Sequence, residues 1–194
     1  MDQMNQLMER YAAGDDEVFE LLYRLMSPRL YRFCRRLATY KPEADDLFQE
    51  TFLKLHRARA TYAAGANPLH WAFAIARSLY LTRLRYWRRR PEVLGATADV
   101  AEHCELQAEH CSTPEAEVLA QHLVELAALE LSRMCENNRV AYILLKEEGL
   151  SAKEAAAILG TTPAVVKQRA HRAYEQLRAV LDAGDRKEDE RHAT

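Results

Sequence analysis

The chain has 194 residues, 29% of them charged, with a net charge of −2, a length suited to one or two small domains. Gly and Pro number six each, and β-branched alternation is rare, which argues against a sheet-built domain and predicts an all-α chain. No apolar run reaches the ~18 residues of a membrane span, and the opening MDQMNQLMER lacks both the basic and the apolar part of a signal peptide. A cytoplasmic protein without membrane insertion is therefore expected, with Cys34, Cys104, Cys111 and Cys135 as reduced thiols.

The small net charge hides a segregation. Residues 1–27 carry six acids against two bases, and residues 28–90 fourteen bases against four acids. Residues 91–132 carry nine acids and no Lys or Arg, and residues 133–181 eight bases against five acids. Two basic blocks separated by an acidic one predict two nucleic-acid-facing modules on a connector.

In chain order, Met4–Ala13 reads as a short helix broken at Gly14-Asp15. Asp16–Met26 follows, with Val18, Phe19, Leu22 and Leu25 at helical spacing. Ser27-Pro28 is a cap and first-position pair that opens a further helix to about Tyr40. Its inner side is Leu30, Phe33, Cys34 and Leu37, and its outer side Arg29, Arg32, Arg35 and Arg36. After Lys41-Pro42, a helix from about Glu43 to Ala60 has Ala44, Leu47, Phe48, Thr51, Phe52 and Leu55 on its inner stripe. Opposite lie Asp46, Gln49, Glu50, Leu53 and Arg57. Leu53 is an apolar residue amid a polar face: a stray surface leucine, or the anchor of a small docking patch with a polar rim.

Tyr62–Asn67 is a loop of small residues, and Asn67-Pro68 opens a helix running to about Arg90. Leu69, Ala72, Ile75, Ala76 and Leu79 form its core side, while Arg77, Ser78, Arg85 and Arg88 gather on another. Six arginines and no acid occur from Ile75 to Arg90, interleaved with Tyr80, Tyr86 and Trp87. Cations for phosphates and flat rings for unpaired bases are what a nucleic-acid surface needs. Residues 91–113 read as a flexible acidic linker. Pro114 opens a helix to Cys135 with Val118, Leu119, Leu123, Leu126 and Leu129 inward, and Asn137–Glu147 supplies another.

The C-terminal stretch carries two helix starts and one sharp stop. Ser151 and Glu154 form a capping box, Gly160 stops the helix Ala152–Leu159, and Thr162-Pro163 starts the next. Two helices joined so tightly cross steeply, the helix-turn-helix geometry that presents the second to a DNA major groove. On that second helix Val166, Ala170, Ala173, Tyr174, Leu177 and Leu181 fall on one stripe and are expected to pack inward. Thr162, Ala164, Val165, Lys167, Gln168, Arg169 and Arg172 are the candidate DNA contacts, with His171 on the same face. Small side chains allow close approach, Gln168 pairs with adenine and the cations reach phosphates. Domains are thus expected at 1–90 and 114–182, with a disordered charged tail at 183–194.

A second class of function stays open. His103-Cys104 and His110-Cys111 repeat a pair of metal-ligand types, which suggests a metal- or thiol-responsive helix-turn-helix regulator. On a continuous helix the pairs would stand ~10 Å apart, too far for one ion, and the spacing matches no established zinc motif. Neither a metal nor any other cofactor is therefore expected. A stand-alone helix-turn-helix regulator would account for 137–182 and leave 43–90 without a purpose. No Ser/His/Asp cluster or Gly-rich phosphate loop is present, so no enzyme is expected.

Three motifs together resemble the extracytoplasmic-function sigma factors of bacterial RNA polymerase over most of residues 14–182. They are Asp45-Asp46-Leu47-Phe48-Gln49-Glu50-Thr51-Phe52-Leu53, then Trp71-Ala72-Phe73-Ala74-Ile75-Ala76-Arg77-Ser78 with the basic run Arg83–Arg90, and Glu148–Arg169. The chain departs from the family pattern at Ser78, Thr82, Leu131-Ser132 and Ala156; the first two lie near the melted-strand surface, so the family's −10 base preferences do not carry over. The resemblance implies that the chain binds core polymerase, recognises −35 and −10 promoter elements, promotes melting and starts transcription of a specific regulon. By it, Asp46, Gln49, Glu50 and Leu53 dock on the clamp helices of the β′ subunit, with the β subunit also contacted. Asn67, Arg77, Ser78, Arg85 and Arg88 hold the −10 element with the 62–67 loop, and the second helix reads −35 duplex. The acidic linker threads the RNA-exit region, and an anti-sigma factor is the expected regulator.

Overall fold

The computed structural model describes residues 2–38, 41–89 and 126–192, with side chains placed between 3 and 180 within those spans. Among them every regular element is helical. The chain divides into two units, Met1–Ala101 and Glu102–Thr194.

The N-terminal unit holds α1 (Asp2–Ala12), a 3-10 turn at Asp16–Val18, α2 (Phe19–Leu37), α3 (Lys41–Ala58), a second 3-10 turn at Arg59–Thr61, and α4 (Pro68–Arg88). Its core is the meeting of three apolar stripes at helical spacing. Leu22, Met26, Leu30, Phe33 and Leu37 come from α2, Ala44, Leu47 and Leu55 from α3, and Leu69, Ala72, Phe73 and Ala76 from α4, all fully or nearly fully buried. The Phe33 and Phe73 rings meet at 4.5 Å between centroids. Burying each large side chain contributes roughly 1.5–3 kcal/mol, so this three-helix core sets the frame on which the surface residues stand.

Ser27-Pro28 does not open a new helix. Helix α2 runs unbroken from Phe19 to Leu37 with Pro28 inside it. The proline gives up one intrahelical amide bond, but the buried stripe continues in register from Leu22 through Met26 to Leu30. Core burial across the site outweighs the lost bond, and Ser27 Oγ donates back to the Tyr23 carbonyl at 2.6 Å instead of capping. The same register leaves Leu25 exposed and puts Met26 inside, where the sequence spacing put Leu25.

The C-terminal unit begins, among the described residues, with α5 (126–133). α6 (Glu136–Tyr142) continues into a π-helical turn, Ile143–Glu147. There Glu148 N donates to Ile143 O at 2.9 Å and Leu150 N to Leu144 O at 3.0 Å. This widened turn and Gly149, at φ 68°, end the helix and aim the chain into Ser151. α7 (Ala152–Leu159) and α8 (Pro163–His192) follow. Leu131, Met134, Ala173 and Leu177 form one buried cluster, with Ala127 and Tyr142 packed against it.

Three C-terminal expectations change. Leu129 and Tyr174 are exposed rather than inward. On α8 the buried positions Val166, Ala170, Ala173 and Leu177 make a stripe of small and aliphatic residues too narrow to take in a tyrosine at its edge. Helix α8 also extends to His192, through the charged stretch where the sequence predicted a disordered tail. No proline interrupts that stretch. Residues 91–113, Val118, Leu119 and Leu123 lie outside the described residues, as does the side chain of Leu181.

Candidate functional site

The helix-turn-helix is built by local chemistry at three points. Ser151 Oγ accepts from Glu154 N at 3.2 Å, and Ser151 N donates to Glu154 Oε2 at 2.8 Å, a closed capping box. Gly160 takes the left-handed conformation at φ 62°, and the Thr161 amide returns to the Ala156 carbonyl at 3.0 Å. Thr162 Oγ1 accepts from Val165 N at 3.4 Å, and Val166 N from the same start reaches Thr162 O at 3.1 Å. With Val166 and Ala170 buried beneath, Thr162, Ala164, Lys167, Gln168 and Arg172 are exposed, and Val165 and Arg169 half-buried at the flanks. Among the described residues, no side-chain hydrogen bond or ion pair engages Lys167, Gln168, Arg169 or Arg172. Small residues at the tip and cations behind them make this face fit a duplex groove.

On α4, Asn67 Oδ1 accepts from Leu69 N at 2.9 Å and His70 N at 3.3 Å, so its acceptor oxygen is spent on starting the helix. Arg77 is half-buried, while Ser78, Arg85 and Arg88 are exposed on the same side of the helix. Asn67 and Arg88 stand about 30 Å apart along α4 at 1.5 Å per residue; the five candidates make an elongated track, not a cluster. Of the three rings expected on this surface, Tyr80 is 4% exposed and belongs to the core. It sits one turn beyond Ala76, on the buried stripe. Tyr86 is exposed, and Trp87 and Trp71 are half-buried, with Trp71 against Tyr62 at 5.5 Å.

On α3, Asp46, Gln49 and Leu53 are exposed, Leu53 by 55%. Glu50 is different: its Oε2 accepts from Arg83 Nη2 at 2.7 Å, and Arg83 Nη1 also reaches the Glu43 carbonyl at 3.4 Å. This half-exposed pair ties α4 to α3 and turns Arg83 away from the solvent-facing arginines. Asp45 is likewise held, accepting from Tyr31 Oη at 2.7 Å. That bond, with burial second, pushes the Tyr31 phenol above its ordinary pKa.

Leu53 is the lip of an open apolar groove of about 610 Å³, which Phe19, Tyr23, Phe48 and Phe52 line with Tyr11, Asp16, Gln49 and His56 at its edges. Tyr23 and Phe52 meet at 4.7 Å, and Phe48 and Phe52 at 5.1 Å edge to face. The helical pattern marks Leu53 and puts Phe19, Phe48 and Phe52 inward. Phe52 is indeed buried, while Phe19 and Phe48 are half-buried and turn to the groove with Tyr23, which no motif marks. The available signal was an excess of aromatic residues over what one inner stripe can hold. Cys34 is buried, and desolvation pushes its thiol up to about 12, so it is a core residue and not a nucleophile. Among the described residues, no group of His, Cys, Asp and Glu is placed to hold a metal ion, and no helix is long and apolar enough to cross a membrane. His103, Cys104, His110 and Cys111 lie outside the described residues.

Comparison with known proteins places both units. Residues 22–90 match Sigma-70 region 2 and residues 127–177 match Sigma-70 region 4. The chain is 32% identical over 174 residues to the RNA polymerase sigma factor CarQ of Myxococcus xanthus, covering 90% of this chain and 95% of that one. It is 33% identical over 154 residues to the ECF RNA polymerase sigma factor EcfG of Rhodopseudomonas palustris, covering 79% and 80%. Among solved structures, the sigma factor RpoE in complex with the anti-sigma factor NepR from Bartonella quintana matches with a TM-score of 0.69 at 25% identity, over 84% of this chain and 96% of that one. With a region 2 unit, a region 4 helix-turn-helix and a relative of that similarity over nearly its whole length, the chain belongs to the ECF RNA polymerase sigma factors, which carry core polymerase to promoters.

Proposed function

We propose that the two units divide promoter recognition between a duplex-reading helix and a strand-holding surface, while a third face rides on the polymerase. The exposed first turns of α8, standing on the Ser151 capping box and the Gly160 turn, carry this reading. Thr162, Ala164, Val165 and Gln168 approach −35 base edges, and Lys167, Arg169 and Arg172 take phosphates. Ser78, Arg85, Arg88 and Arg77 line the path of the −10 strand, with the 62–67 loop at one end. Asn67 contributes there as the residue that fixes where α4 begins.

Extruding a base costs only a few kcal/mol, and stacking returns ~1–3 kcal/mol per base. Tyr86, Trp87 and Trp71 are the rings placed for it. Opening therefore needs no hydrolysis step and no bond-making chemistry from this chain once polymerase holds the DNA, and the work is done in the cytoplasm.

Asp46, Gln49 and Leu53 form the docking face for the β′ clamp helices, with the aromatic groove beside it. Glu50 acts here first as the partner of Arg83. The Bartonella relative was solved with an anti-sigma factor, which supports a protein regulator for this chain as well. A gel shift on promoter duplex tests the division of labour. Weak binding by the chain alone and tight binding with core polymerase is the expected result. Tight binding without polymerase would favour a stand-alone regulator.

A further inference from the structure

Glu9 lies on α1, before residue 22 where the region 2 match begins, and belongs to none of the motifs above. Its Oε1 accepts a hydrogen bond from the Gly65 amide at 3.0 Å, from 56 residues away. Helix α1 is firmly held: Leu7, Met8 and Tyr11 are buried, and Tyr11 Oη meets His56 Nδ1 at 2.5 Å. Arg10 binds Asp15 Oδ2 through Nε at 3.0 Å and Nη2 at 2.7 Å. Glu9 is thus a carboxylate on a fixed post.

The loop it reaches needs such a post. Ala66 N donates to Ala63 O at 3.0 Å, and Gly65 takes φ 77° while Ala64 does not go positive, the pattern of a type II turn. The turn's own bond uses the Ala66 amide and leaves the Gly65 amide to find another acceptor. No atom lies within 4 Å of where a Gly65 side chain would begin, so packing does not fix the tip. Hydrogen bonds do: Tyr62 Oη donates to Ala66 O from one side, and Glu9 grips Gly65 from the other. The Glu9 charge also contributes, after burial, to holding the Tyr62 phenol above its ordinary pKa.

We propose that Glu9 is a positioning residue for −10 recognition, holding the Ala63–Ala66 turn by the Gly65 amide so that the loop meets the extruded base in one conformation. The inference rests on the reading of 62–67 as the base-capturing loop. An ordered loop binds without first losing freedom, so the benefit appears as discrimination between bases. As a charge, Glu9 works the other way, because a carboxylate beside a phosphate path weakens binding. Two substitutions separate these effects: Glu9→Gln keeps an acceptor and removes the charge, and Glu9→Ala removes both.

The experiment uses holoenzyme reconstituted with core polymerase, transcribing a promoter library randomised at the −35 and −10 regions, with the transcripts' templates sequenced. For Glu9→Ala, the ratio of preferred to next base at one −10 position is expected to shrink about five-fold, the worth of one hydrogen bond. Its −35 preference and core affinity stay at wild type, and Glu9→Gln keeps the wild-type ratio. A wild-type ratio for Glu9→Ala, or a Glu9→Gln variant as impaired as Glu9→Ala, overturns the proposal. Ala64→Asp, at the exposed loop tip, separates the two layers of the argument. If it shifts −10 preference while Glu9→Ala does not, the role of Glu9 alone falls. If neither changes −10 preference, the loop reading falls and takes the proposal with it.

Discussion

The N-terminal and C-terminal units present their polar groups in opposite ways. On the first, side chains in and around the candidate surfaces hold the backbone or one another: Asn67 caps α4, Glu50 holds Arg83 at 2.7 Å, and Glu9 holds the Gly65 amide at 3.0 Å. On the second, Lys167, Gln168, Arg169 and Arg172 make no side-chain bond among the described residues, and the bonds lie underneath, in the capping box and the Gly160 turn. A duplex brings its own regular shape, so a protruding helix set at the right angle is enough to read it. An opened strand has no shape of its own, and the protein has to supply a rigid one. On the proposed reading of that surface, the internal bonds of the N-terminal unit supply this rigidity.

The largest effect is expected where neither DNA surface is involved. Gln49→Ala with Leu53→Asp puts a charge at the lip of the aromatic groove, and core association should drop by at least about 30-fold, as for an interface hot spot. Helicity by circular dichroism should be unchanged, because both side chains are exposed. Retained co-purification with core polymerase at wild-type level would remove α3 from the docking face.

Next comes a matched pair of glycines. Gly65 and Gly160 both have positive φ and open space around them, so alanine at either costs about 1–2 kcal/mol of backbone strain. The consequences should divide. Gly160→Ala is expected to lower the melting temperature and weaken −35 duplex binding, and Gly65→Ala to spare duplex binding and slow strand opening read by permanganate reactivity. Identical phenotypes would erase the distinction between the units.

Smaller effects sharpen the same contrast. Arg172→Ala or Lys167→Ala should weaken holoenzyme binding several-fold and make its salt dependence shallower by about one unit of slope. An unchanged slope means that these side chains face away from DNA. Smallest of all is Arg83→Ala. The Arg83–Glu50 pair is partly exposed to solvent, with side chains 24% and 46% accessible, and such pairs contribute at most about 1 kcal/mol to stability. Denaturant unfolding checks this. A much larger loss would mean that the bond to the Glu43 carbonyl is the greater part of the tie.

What could be read in advance follows the range of the interactions. The helix-turn-helix is specified within the stretch 151–163 by Ser151, Glu154, Gly160, Thr162 and Pro163, and each sits where local capping chemistry demands. Ser27-Pro28 carries the same local signature and misleads, because the stripe from Leu22 to Leu30 continues through it and core burial prevails over the lost amide bond. Tyr80 and Tyr174 were exchanged between core and surface for a related reason. Tyr80 continues the buried stripe of α4 one turn beyond Ala76, whereas Tyr174 lies at the edge of the α8 stripe, and the neighbouring helices decide what is covered. The Glu50–Arg83 pair and the Glu9–Gly65 bond join residues far apart in the chain. No periodicity or motif announces such pairings, and the three-dimensional arrangement alone reveals them.

The division of labour stands or falls on transcription itself. Run-off assays with core polymerase on genomic fragments should yield defined RNA starts when this chain is added, and the Gln49→Ala/Leu53→Asp variant should yield none. Transcripts that are the same from core polymerase with and without the chain, on every fragment tried, would contradict the account.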